Sequence, residues 1–592
     1  MPLPPITHTG LKNQDDYRKH QTDMPESELD ASHQRRRVLL IRLLVIAVFG
    51  VAFFRTAWVA EDAFITFRVI ENFLDGLGLR WNPSERVQVY THPLWMFLLI
   101  PLKYVLGDPY WAAVTLSMVM LLSLVTVIEK IFRGWTLPTM LVALSLLFSK
   151  AFVDYTSSGL ENPLVHLLIA IYVWVVCGYR GHRYFVTRLY LVASLMYLTR
   201  PDVVVLLVPS LLYESWRSRG KARALIGEVA TGLAPALVWT AFSVVYYGSP
   251  VPNTALAKVN TGNALAVRFD QFHAYVNYTI QNDWPTAVLM VAGLAVGLTS
   301  RQLRPLAMGL LGWAIYLAWV GTDYMAGRFL SGSVLLSVLM LGLSVIGARH
   351  LFIAVWGAAL LLASPALSAT LFAPQSFASY RISPAGIADE RGYYYQALGV
   401  RPVIRRGSWM THKWMLEGQA LRALPGNYTR CTIGMVAFAA GPALYWVDPL
   451  ALTDPFLSRL PSRAGTRVGH YERALPKGYL DSIVSGQNLL EDAALRRLYD
   501  DVALATRAPL LERNRFAALW RLNLQSTGYL PATYDRNAVA LPGFPVNDRS
   551  PFSCYGLAGG MGMVFRLDGP PLIVSFVHFK DPVDTPRPAD KR

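Results

Sequence analysis

The feature that most constrains this chain is a series of apolar runs, separated by short loops, that fills the first 371 residues and then stops. About 20 consecutive apolar residues span a bilayer as a helix, because in lipid a helix satisfies its own backbone hydrogen bonds. The composition agrees: 53% of residues are hydrophobic and only 16% charged, against about 25% charged in soluble domains. After residue 375 the text turns polar and rich in Pro and Gly. The expected fold is a polytopic α-helical membrane protein. It has a disordered cytoplasmic tail (1–34), a transmembrane part (35–371) and a C-terminal extracytoplasmic mixed α/β domain (372–592).

Basic residues flanking short loops stay in the cytoplasm, and this rule threads the spans. Arg35, Arg36 and Arg37 precede the first run, 38–59, which is too long for a signal peptide and reads as an uncleaved helix. The segment "PLWMFLLIPLKYVLG" (93–107) is short for a crossing and reads as re-entrant or interfacial. Further spans are expected at 110–129, 137–151, 162–178, 186–199, 202–214, 225–247, 285–299, 305–320, 329–347 and 350–371, about eleven in all. This threading sends the basic loops "EKIFR", "GYRGHR", "ESWRSRGKAR", "SRQLR" and "GARH" to the cytoplasm; a crossing at 93–107 would send most of them outside. The net charge of +16 is thus accounted for by membrane anchors. With no basic patch interleaved with aromatics, nucleic acid is not an expected partner.

The same threading gathers the unusual polar residues on the other face. Glu61 and Asp62 end "AWVAED"; Glu161 lies in "DYTSSGLEN"; Arg200 and Asp202 in "TRPD"; Asn253 and Lys258 in "VPNTALAK"; Asp323, Tyr324 and Arg328 in "GTDYMAGRFL". Each alone reads as a solvated loop residue or a local ion pair. Five loops doing so on one side read as a substrate path. No Walker motif, Rossmann fingerprint or H-E-x-x-H is present, so no nucleotide cofactor is expected. An activated substrate for chemistry at that face would arrive through the lipid, and a polyprenyl-phosphate sugar has the right character. Its transfer needs a carboxylate for the acceptor proton and cations for the departing phosphate. A transporter would show two similar halves and charges at the membrane midplane, which are not seen.

These stretches, with "AFITFR", "GLGLRWNPSERVQVYTHPLW" and, later, "ISPAGIADERGYYYQALG" and "DPLALTDPFLSRLP", resemble the GT-C membrane glycosyltransferases. Within that group they resemble the AftB-type terminal arabinofuranosyltransferases and the TfpW-type pilin arabinofuranosyltransferases. The resemblance implies an inner-membrane enzyme that moves arabinofuranose from a decaprenylphosphoryl-type donor to an extracytoplasmic glycan or glycoprotein. Other polyprenyl-phosphate sugars (mannose, glucose, aminoarabinose) stay open as donors. It implies that Asp62, with Glu61 beside it where the family usually has a second aspartate, carries the catalytic carboxylate. Lys258, Arg328 and Arg200 are expected to bind the donor phosphate. Thr91, His92, Glu161, Asp202, Asn253, Asp323 and Tyr324 are expected to shape the sugar and acceptor pocket. Some GT-C enzymes use a divalent cation and others do not, so metal stays open; no metal-ligand spacing is present. Of the three cysteines, Cys431 and Cys554 could pair if their domain is extracytoplasmic. Within that domain, 432–450 reads as strand, loop, strand, and 488–506 as a helix.

Overall fold

The computed structural model describes residues 26–218, 222–345, 382–525, 530, 534–536 and 565–567. The expected span at 350–371, Cys554 and residues 1–25 lie outside them. The first part is helical: α1 (Glu26–Thr56), α2 (Ala63–Leu74), α3 (Pro93–Leu106), α4 (Pro109–Ile131), α5 (Leu137–Phe148), α6 (Lys150–Asp154), α7 (Asn162–Gly178), α8 (Phe185–Thr199), α9 (Val208–Arg217), α10 (Ala222–Tyr247), α11 (Asn253–Val259), α12 (Leu265–Asn282), α13 (Trp284–Thr299), α14 (Arg304–Val320) and α15 (Ser331–Val345). Among the described residues, three helices are long and apolar enough to cross a membrane: Arg36–Thr56, Pro109–Ile131 and Arg223–Tyr247. Shorter apolar helices include α3, α5, α7, α8, α13 and α14.

Three elements differ from expectation. Residues 61–92, read as a polar loop, contain α2, whose polar Arg68 and Asn72 are buried. Residues 202–214, read as a span, are a 3-10 turn (Pro201–Leu206) followed by α9. Helix α1 begins at Glu26, inside the stretch read as a disordered tail.

The short segment behaves as its length requires. Fourteen residues of α3 reach about 21 Å, less than a hydrocarbon core of about 30 Å. Gly107, with φ of 72°, ends the helix in the left-handed conformation that glycine tolerates best. Asp108 then caps α4, accepting from the Trp111 amide at 3.1 Å, and its other oxygen accepts from Trp409 Nε1 of the C-terminal part at 2.8 Å. The opposite end of α3 begins at His92, beside Glu161. The Asp108 end of α3 thus meets the C-terminal part, and the His92 end meets Glu161.

The C-terminal part contains α16 (Glu390–Leu398), α17 (Val400–Arg406), α18 (Lys413–Leu421), α19 (Gly434–Ala440), α20 (Tyr479–Ser485), α21 (Ala493–Arg507) and α22 (Arg513–Leu524). A three-stranded sheet has the order β2-β1-β3. Strand β1 (Gly426–Thr429) pairs in parallel with β2 (Leu444–Val447) and antiparallel with β3 (Phe565–Arg566). Parallel neighbours need a crossover, and α19 supplies it. The apolar run expected to be the first strand of 432–450 is therefore that helix; the expected helix at 488–506 is α21. Cys431 is disulfide-bonded and Cys177 is free.

The two parts share one core. Phe64 and Phe67 of α2 pack edge-on against Phe438 of α19, and Trp58 lies parallel to Tyr394 with ring centroids 6.3 Å apart. A continuous buried cluster runs from Phe49 to Tyr471 across both parts. A smaller core, around Phe456, Tyr479 and Leu498, belongs to the C-terminal part with Ala257 of α11. Backbone bonds stitch the joint: Val59 donates to Leu398 O at 3.2 Å, and Val400 to Ala57 O at 2.9 Å.

Candidate active site

The residues following α1 enter the joint as a pair with separate environments. Glu61 is buried, and its Oε1 accepts from the Met435 amide at 3.1 Å, in the first turn of α19. Seven residues on, Arg68 donates to Ala437 O, to Gly441 O at 2.7 Å and to Leu444 O at 3.0 Å, at the other end of the same helix. An acid at the N-terminus and a base at the C-terminus both match the helix dipole. Burial, and then the neighbouring Asp62, push the Glu61 carboxyl up to about 8. Glu61 thus docks α19 onto α2. Asp62 is half-buried and turns toward the bundle loops, with Oδ2 3.7 Å from an Arg328 nitrogen. Burial raises its carboxyl above the ordinary range, against Arg328 and Lys258, which lower it.

Arg328 is the centre of an ion cluster drawn from four loops. Its guanidinium lies 3.2 Å from Glu161, 3.7 Å from Asp62 and 3.8 Å from Asp323. Glu161, at the N-terminus of α7 and 0% exposed, also lies 3.6 Å from Arg200. Arg200 in turn pairs with Asp202 at 3.1 Å. His92 backs Glu161 at 3.2 Å through Nδ1, while its Nε2 meets the Thr66 hydroxyl at 2.9 Å. Burial alone would raise the Glu161 carboxyl, but Arg328, His92 and Arg200 hold it well below the usual range.

Two cavities meet at this cluster. The larger, about 1290 Å³ with open solvent included, is lined by Arg200, Arg328, Lys258, Thr91, Asp202 and Asp323, and by apolar Val251, Val259, Val320 and Phe329. The smaller, about 700 Å³ on the same measure, is lined by Glu61, Asp62, Tyr324, Glu390, His470 and the aromatic wall Tyr393, Tyr394 and Trp414. Lys258 and Gly469 line both. The larger cavity is lined by apolar and charged side chains, the smaller by polar and aromatic ones. The cluster is not basic overall, since Asp62, Glu161, Asp202 and Asp323 face Arg200, Arg328 and Lys258. Lys258 is the member with no ion pair among the described residues, though its charge acts on Asp62.

Most expected site residues thus come together, with three different placements. Glu61 lines the smaller cavity but also docks α19 through Oε1. His92 is a support behind Glu161 and lines neither cavity. Asn253 is set apart: its amide donates to the backbone oxygens of Ala451, Leu452 and Asp454 (2.9–3.2 Å) and its oxygen accepts from Ser458 at 2.8 Å. It fastens α11 to the C-terminal part. Glu390, absent from the expected set, lines the smaller cavity. The signal for it was the "DER" triplet. Asp389 pairs with Lys150 at 3.2 Å and Arg391 with Asp154 at 2.7 Å, which leaves the middle acid facing inward. No group of three or more His, Cys, Asp or Glu poised to hold a metal occurs among the described residues.

The chain is similar to a terminal arabinofuranosyltransferase. The relative is the terminal beta-(1->2)-arabinofuranosyltransferase of Mycobacterium tuberculosis, 25% identical over 529 residues, which cover 73% of this chain and 83% of the relative. The resemblance drawn from the loop motifs is borne out by it. No family model matches the chain. Among solved structures, ArnT from Cupriavidus metallidurans bound to undecaprenyl phosphate overlaps 72% of this chain and 77% of its own, with a TM-score of 0.40 and 13% identity. That overlap is too loose to argue from.

Proposed function

We propose that this protein is a GT-C-type glycosyltransferase that moves an arabinofuranosyl unit from a decaprenylphosphoryl-type polyprenyl phosphate to an extracytoplasmic glycan or glycoprotein. The observation that carries the reading is the position of Asp62, in the smaller cavity yet 3.7 Å from Arg328 of the larger one. The donor lies in the larger cavity, its chain along the apolar wall and its phosphate at Lys258, Arg328 and Arg200. The acceptor enters from the smaller cavity. Asp62 takes the proton of the acceptor hydroxyl as its oxygen forms the new bond to the anomeric carbon. The bond from that carbon to the phosphate oxygen breaks, and the cations stabilise the departing phosphate. A carboxyl raised by burial is better matched to neutral pH as a base than an ordinary aspartate. Glu161 is a positioning residue that holds both arginines. The enzyme sits in the bacterial inner membrane, N-terminus in the cytoplasm and C-terminal part outside.

The donor is tested by incubating the purified protein with polyprenylphosphoryl arabinofuranose, and separately with mannose, glucose and aminoarabinose donors, with and without a chelator. Transfer of arabinose above the others supports the reading. Transfer of mannose or another sugar without arabinose rejects the donor.

A further inference from the structure

Glu390 is a buried acid with no work assigned to it. It is 7% exposed and lines the smaller cavity. Among the described residues its carboxyl has neither a hydrogen bond nor an ion pair within 4 Å. A carboxyl that lines a cavity without a protein partner leaves its hydrogen-bonding capacity for a ligand. The fold holds it there firmly. Its neighbours in sequence are tied to α6, Asp389 to Lys150 and Arg391 to Asp154, and α16 begins at Glu390 itself. Beside it stands Tyr394, whose ring lies parallel to Trp58 at 6.3 Å and edge-on to Trp414 at 6.2 Å. Asp62 lines the same cavity.

We infer that Glu390 and Tyr394 form the recognition site for the terminal sugar of a glycan acceptor, the ring seated against the aromatic wall and one hydroxyl bonded to the Glu390 carboxyl. The chemistry is complementary. The face of an aromatic ring is electron-rich and takes the C–H face of a sugar. A carboxyl and a phenol supply directional partners for hydroxyls, and a few such groups set the orientation of a bound ring. The arrangement would hold a second hydroxyl toward Asp62. Burial raises the Glu390 carboxyl, Arg467 opposes it, and Asp62, Glu61 and Asp323 add to the rise. A protonated acid there both donates and accepts, as a sugar hydroxyl requires.

The inference rests on the glycosyltransferase reading, and the test separates the two. A soluble methyl-arabinofuranoside oligosaccharide is titrated into purified full-length protein by calorimetry, and polyprenyl phosphate is titrated separately. Glu390→Gln keeps a donor and an acceptor and should bind the oligosaccharide within about threefold of wild type. Glu390→Ala should weaken it by about tenfold or more, the equivalent of one buried hydrogen bond lost. Tyr394→Phe, which keeps the ring and the fold, should weaken it by about threefold to tenfold. Wild-type binding of the lipid without the oligosaccharide, or unchanged oligosaccharide affinity in Glu390→Ala and Tyr394→Phe, overturns the inference alone. Failure of the wild type to bind the lipid overturns the glycosyltransferase reading.

Discussion

Replacing Glu161 should unbalance the site more than any other single change. Its carboxylate is fully buried between two guanidiniums and a histidine, at 3.2 Å from Arg328, 3.6 Å from Arg200 and 3.2 Å from His92. With an effective dielectric of about 20, an ion pair at such a distance attracts by roughly 5 kcal/mol before desolvation is subtracted. Removing one partner of a buried cluster typically costs about 3–5 kcal/mol, because the remaining charges stay buried and uncompensated. Glu161→Ala should lose that much stability. Glu161→Gln should lose somewhat less, since it keeps the volume and one acceptor. The assay is thermal unfolding in detergent, followed by tryptophan fluorescence, with turnover measured beside it. In Glu161→Gln the two arginines keep their charge but lose their anchor. Polyprenyl phosphate should therefore bind as well or better while kcat falls. Wild-type stability together with wild-type kcat in both variants would refute the positioning role.

The other predictions concern the joint and the threading. Glu61 has a carboxyl raised from 4.5 to about 8, so its contribution to stability is complete below pH 4.5 and is lost as pH rises through about 8; Glu61→Gln should flatten the fall in thermal midpoint between about pH 5 and 8, and an unchanged slope would count against burial of this acid. Gly434→Ala places a Cβ 2.7 Å from Glu61 Oε1, and overpacking there should cost about 1–3 kcal/mol; an unshifted midpoint would contradict the tight seat of α19 on α2. In a Cys177→Ser background, a cysteine at Asn260 should react with an impermeant thiol reagent from outside and one at Arg217 only after the membrane is opened. The reverse pattern would overturn the threading.

What the sequence disclosed was the part governed by lipid. The apolar runs marked most of the helices, and the length of α3 marked it as too short to span. The loops carrying Asp62, Glu161, Arg200, Lys258 and Arg328 were legible as a group because charge at membrane depth is costly. What was hidden depended on long-range packing. Helix α2 was hidden in a polar loop because the partners of Arg68, and of Glu61 just before the helix, lie in and next to α19, more than 360 residues away. An apolar run of seven residues does not distinguish strand from buried helix, so α19 was misread. Asn253 matched a motif, yet its four hydrogen bonds go to the C-terminal part. Glu390 had only the neighbouring charges of its triplet to mark it, and their partners appear only in the fold.

The central claim is that Asp62, in the smaller cavity beside Arg328 of the larger one, removes the acceptor proton. The direct measurement is the turnover of Asp62→Asn with polyprenylphosphoryl arabinofuranose and an arabinofuranoside acceptor. The variant should elute as the wild type does and bind polyprenyl phosphate. Its kcat should fall by about 10²–10⁴, the usual worth of a general base. A folded Asp62→Asn protein that transfers arabinose at near wild-type rate would contradict the account.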